Sequence, residues 1–114
     1  MKIGTSSPDS IDLVVRNART DTWSLVVTEP GPWDGSEGRL DRLERKLFRY
    51  REYLVRGELY RRHPESKAKP VFIEVHFYCE PTTPALALIE SVRDRFVPYD
   101  IPVVVQRMGW RAPS

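Results

Sequence analysis

Glu74, His76 and Tyr78 occupy alternate positions of the segment VFIEVHFYC, residues 71–79. A carboxylate beside an imidazole can form a general base, and a nearby phenol can supply a proton. Successive strand side chains point to opposite faces, so these three share one face with Phe72, about 7 Å between neighbours. Val71, Ile73, Val75, Phe77 and Cys79 fall on the other. The pattern carries no partner for such chemistry, since neither a nucleophile nor an oxyanion donor can be named, and a solvated polar strand face is the ordinary reading. His63 and His76 are the only histidines and sit on different elements, and neither HExxH nor CxxC spacing occurs, so a zinc site is rejected. No cofactor is expected. Cys79 is the single cysteine, which excludes an internal disulfide, and its place on the apolar side makes it a small hydrophobe.

Four strands and two helices must position this face. Ile11, Leu13 and Val15 alternate with Asp12, Val14 and Arg16, and after a polar turn at 17–21 Trp23, Leu25 and Val27 alternate with Ser24, Val26 and Thr28. The two runs predict an antiparallel hairpin. A Pro-Gly loop at 30–35 ends it. Asp34 and Glu37 fit a capping box, with Trp33 as a staple before a helix from about 36 to 56. Leu40, Leu43, Leu47, Tyr50 and Leu54 recur at helical spacing along one stripe, and Gly57 is placed to stop the helix. A further turn is expected at 58–63, then the strand at 71–79. A second helix runs from Thr82 or Thr83 to about Phe96, led by Pro84, and a last strand carries Ile101, Val103 and Val105, with Pro102 marking an edge.

The order β-β-α-β-α-β predicts an α+β two-layer sandwich. A four-stranded mixed sheet would carry both helices on one face. At 114 residues this is one domain, with an ordered core at about 11–107 and short tails. The uncovered face would then present Val14, Val26, Phe72, Glu74, His76, Tyr78 and Val104, a partly apolar surface suited to a protein partner or to self-association. The competing expectation is that the tail carrying Trp110 folds over it.

The net charge of +2 conceals a basic region: residues 39–69 hold eleven Lys and Arg against five Asp and Glu. Arg39, Arg42, Lys46 and Arg49 fall close to one stripe that could follow a phosphate backbone. Acidic residues are interleaved, and Asp41 with Arg45 is an i, i+4 pair, so an ion-paired solvated helix face is the default. No Gly-rich phosphate loop is present. No apolar run approaches the ~20 residues of a membrane span. The N-terminal segment lacks the apolar stretch of a secretory signal. A cytoplasmic protein without membrane contact is expected.

The hairpin, Trp33 before a long helix, Gly57-Glu58-Leu59-Tyr60, His63-Pro64, the strand Ile73-Glu74-Val75-His76-Phe77 and Pro81 follow one another in an order that resembles a family of small bacterial domains of unknown function. The resemblance covers about residues 11–107 and implies the same fold and a bacterial source; it supplies no catalytic residues. The expected role is a non-catalytic interaction domain, homodimeric or accessory to a larger protein, with an antitoxin- or immunity-like role as an analogy. A nucleic-acid-binding regulator using the Arg-rich helix 39–56 is the alternative, and a small enzyme built on Glu74, His76 and Tyr78 the third.

Overall fold

A computed structural model describes residues 11–29, 33 and 37–108. The expected Asp34 cap and the tail with Trp110 lie outside the described residues. The elements are β1 (Leu13–Asn17), β2 (Thr22–Glu29), α1 (Glu37–Val55), α2 (Glu58–Arg62), β3 (Val71–Phe77), α3 (Thr83–Phe96) and β4 (Val103–Arg107), with 3-10 turns after α2 and α3. The strands form one mixed sheet in the order β1-β2-β3-β4. β1 runs antiparallel to β2, and β2, β3 and β4 are mutually parallel. The fold is α+β, as the alternation of apolar patterns predicted.

Local chemistry explains each boundary. Gly57 ends α1 at φ 79°, a left-handed conformation that a side chain makes costly. Thr82 caps α3, its hydroxyl accepting from the Ala85 amide at 3.2 Å, with Pro84 in the first turn. Asp21 also takes positive φ immediately before β2, and Ala68 and Asp100 do so three residues before β3 and β4 begin. Aspartate tolerates this conformation; alanine has no side-chain hydrogen bond to offset it.

Pairing register assigns every strand residue to a face, because residues directly opposite one another point the same way. One side carries the rows Val14–Leu25–Ile73–Val103 and Val27–Val75–Val105. Leu25, Val27, Ile73 and Val75 there form one cluster with Leu43, Leu47, Tyr50 and Leu54 of α1 and Ile89, Val92 and Phe96 of α3. α1 and α3 touch, and Phe48 meets Phe96 edge-on at 5.7 Å. Arg93 reaches from α3 to donate to the Val103 carbonyl at 3.0 Å.

The other side carries Val15–Ser24–Phe72, then Leu13–Val26–Glu74–Val104, then Thr28–His76–Gln106. This corrects one expectation. Val14 was placed on the uncovered side with Asp12 and Arg16, but it lies opposite Leu25 and packs against the core. Asn17 is the reason. Its side-chain oxygen accepts from the Arg19 and Thr20 amides at 3.0 and 3.3 Å, so it is the last paired residue rather than the first of the turn. Asn17 therefore faces Thr22 across a four-residue loop, and the shift of one residue inverts every β1 side chain. Leu13 and Val15 instead share the side of Val26 and Glu74, 49% and 40% exposed.

Candidate functional site

Glu74 sits at the centre of the second sheet face. Its Oε2 accepts from the Ser24 hydroxyl at 2.5 Å, and its Oε1 lies 2.9 Å from His76 Nε2. Period-two spacing along β3 sets the Glu74–His76 pair, and the register with β2, which puts Ser24 opposite Phe72, brings the hydroxyl alongside. Burial pushes the Glu74 carboxyl up, but hydrogen bonds from His76 and Ser24 and the charge of His76 outweigh it and hold the group below the usual carboxylate range. The imidazole is largely covered, its side chain 14% exposed.

Ser24, Glu74 and His76 are thus bonded to one another in a row. Ser24 donates to the Glu74 carboxylate and not to the imidazole, so Ser24 and His76 do not form a hydroxyl–imidazole pair. Ser24 is itself buried. Tyr78 lies beyond the end of β3, exposed, and among the described residues it makes no side-chain hydrogen bond with Glu74 or His76; its backbone amide donates to the Glu29 carbonyl at 3.1 Å. The strand thus ends at Phe77, two residues earlier than its apolar alternation suggested, and Cys79 is half-buried past that end. His63 is elsewhere, with its ring 5.2 Å from Trp23. Among the described residues no three of His, Cys, Asp and Glu are grouped as metal ligands would be.

Of the expected partner face, the register places Val26, Phe72, Glu74, His76 and Val104 together. Phe72 and Val104 are half-buried, while Val26, on an interior strand between Leu13 and Glu74, is buried. Leu13 and Val15 add the most exposed apolar groups. Their odd positions match those of Leu25 and Val27, which made them look like core; only the turn length shows otherwise.

The expected basic stripe is divided by the fold. Lys46 is 3% exposed, with its Nζ 2.6 Å from Asp12 Oδ2. That ammonium makes a close ion pair but no well-aligned hydrogen bond. The same carboxylate oxygen accepts from the Thr28 amide and hydroxyl at 2.9 and 3.0 Å. Tyr50 completes the cluster, its hydroxyl accepting from the Asp12 amide and donating to the Val26 carbonyl, both at 2.7 Å. Arg39 lies 4.0 Å over the Trp33 ring and 3.3 Å from Glu29, whose carboxyl burial pushes up despite the guanidinium. Arg42 and Arg49 remain on the surface. Lys46 stands three residues after Leu43 and four before Tyr50, so helical spacing alone already put it on the inner stripe. Its anion was not legible, because Asp12 is brought there by the inverted hairpin.

A groove of about 360 Å³ opens at the far end of the sheet, where β3 and β4 begin, between Val55, Tyr60, Phe72 and Tyr99 with Lys69 and Asp100 on its lining. No residue pattern had pointed to it.

The chain belongs to a family of unknown function (DUF6572), whose model matches residues 3–108. No curated protein and no solved structure matches the chain. Among the described residues no helix is long and apolar enough to cross a membrane.

Proposed function

We propose that this domain is a non-catalytic protein-interaction module that works through the sheet face bearing Leu13, Val15, Phe72, Glu74, His76 and Val104. Both long helices, in this reading, cover the side of Leu25 and Ile73 and leave this one to a protein surface. The observation that carries the proposal is the exposure of Leu13 and Val15 on the face that also holds half-buried Phe72 and Val104. Exposed apolar groups clustered on one face favour contact over solvation. The polar groups between them, Ser24, Glu74 and His76, are already bonded to one another, so a partner that covers them has mainly the second His76 ring nitrogen left to meet. Self-association and the capping of a larger protein, as an antitoxin- or immunity-like domain would do, are both forms of this role, in a cytoplasmic setting.

The nucleic-acid reading is less well supported, because Lys46 and Arg39 are engaged by Asp12 and Glu29 and only part of the stripe faces outward. The test replaces Phe72 with Glu and Val104 with Arg together and follows native particle mass. Loss of a dimer or a stoichiometric assembly, with circular dichroism unchanged, is the expected result. A wild-type chain that forms no assembly, or an assembly indifferent to both changes, overturns the proposal.

A further inference from the structure

We infer that the groove where β3 and β4 begin is a small-molecule site for a neutral, flat heterocycle of nucleobase type, held by the backbone of Val71 between aromatic side chains. This goes beyond the protein-contact role and shares only Phe72 with that surface.

Ladder parity fixes where the Val71 backbone points. The Trp23 amide donates to the Pro70 carbonyl at 2.9 Å, so Pro70 and Phe72 serve β2. The Ile73 amide donates to the Pro102 carbonyl at 2.9 Å, so the odd-numbered residues of β3 serve β4. In a parallel ladder the N–H and C=O of one residue reach the same neighbour. Those of Val71 are therefore aimed to the side of β4. Pairing with β4, however, starts only at Ile73 with Val103. Pro102 is the reason. The next rung back would need an N–H at position 102 to meet the Val71 carbonyl, and proline has none. The neighbouring Asp100 and Ile101 amides already donate to Val97 and Phe96. Among the described residues the Val71 N–H and C=O thus have no backbone partner. A donor and an acceptor stand side by side on a half-buried residue of the groove lining, and such groups take their partner from a ligand or from water.

The side chains select what can reach them. Tyr60, Phe72 and Tyr99 line the groove, and no two of these rings are in contact. Tyr99 meets only the Arg51 guanidinium, 5.3 Å from its ring. A flat ring can stack on such unpaired aromatic groups, as bases do. An anion is not favoured, because the Lys69 ammonium lies 2.5 Å from Asp21 and Asp100 shares the lining. A purely apolar ligand would displace water from Val71 and give nothing back. A ring with a donor beside an acceptor on one edge, as in adenine, cytosine and uracil, meets both backbone groups. The volume of about 360 Å³ suits a ligand of one or two rings.

The experiment titrates the full chain with adenine, cytosine and uracil in turn, followed by amide NMR and calorimetry. At least one base should bind saturably and shift the Val71 amide resonance. The same base methylated at its edge donor should bind roughly tenfold more weakly or worse. Tyr60→Ala and Tyr99→Ala, both exposed and outside the core, should each weaken binding roughly tenfold with unchanged circular dichroism. Pro102→Ala, which supplies the missing N–H to the Val71 carbonyl, should weaken it as well. No shift at Val71 with any of the three bases overturns the inference. Equal binding of methylated and unmethylated base, or binding indifferent to the tyrosine changes and to Pro102→Ala, does the same. Binding of a single-stranded oligonucleotide but of no free base also overturns it. An assembly lost on Phe72→Glu with Val104→Arg is independent of all these outcomes, so the two readings fail separately.

Discussion

Asp12 and Lys46 are enclosed together, and the energetics of each depends on the other. Breaking a buried ion pair from one side leaves a charge with neither water nor partner, which typically costs about 3–5 kcal/mol. Asp12→Asn should therefore lower unfolding free energy by that order in urea titration. Asp12→Leu combined with Lys46→Met should recover most of the loss. A residual deficit of about 1–3 kcal/mol is expected because the Thr28 amide, now bonded to Asp12, is left without an acceptor. Additive single and double effects would show that the pair is not coupled. Glu74 gives a pH-dependent counterpart. Its folded pKa is lowered, so its contribution is present above the unfolded value and is lost as pH falls through the folded one. Wild type should exceed Glu74→Gln in stability at neutral pH, and the gap should close as pH drops through the carboxylate range. Glu29, whose carboxyl is raised, works in the opposite direction: its burial penalises the fold above the raised value and is relieved on acidification.

Element boundaries show which information is local. Gly57 at the end of α1 and Thr82 with Pro84 at the start of α3 were legible because a helix stop and a helix cap are properties of a few adjacent residues. Gly57→Ala should cost about 1 kcal/mol through backbone conformation alone, since the added Cβ would meet only the Arg61 guanidinium at an ordinary 3.7 Å. Ala68, at φ 66°, is the converse: Ala68→Gly should raise the thermal midpoint by relieving about 1 kcal/mol of strain. A fall in the midpoint would mean the left-handed turn is not strained there. The faces of β3 were also readable, since period two and burial agree along it from Phe72 onward, while those of β4 follow from period two and its register with β3. The face of β1 was not, because it depends on whether Asn17 belongs to the strand or the turn. Ser24 as a partner of Glu74 was equally hidden, since strand order and register join two residues fifty positions apart.

At the scale of the molecule, the exposed arginines of α1 and the exposed apolar pair of β1 lie on different elements. Exposed Arg42, Arg45 and Arg49 lie on α1, while Leu13 and Val15 lie on the sheet edge. Contact with a partner through the side of Leu13 and Val15 would be apolar, so any assembly made there should change little with added salt, whereas contact through the arginines would weaken steeply. Sedimentation across a salt series distinguishes the two.

The four-residue turn between Asn17 and Thr22 also constrains the ways this chain can vary over time. Inserting or deleting a single residue there would exchange the two faces of β1, setting Leu13 against the core and turning Asp12 away from Lys46. Changes of two residues preserve both. Lengths of this loop across family members should therefore differ by even numbers, and odd differences should coincide with a compensating bulge in β1 or with loss of the Asp12–Lys46 charges.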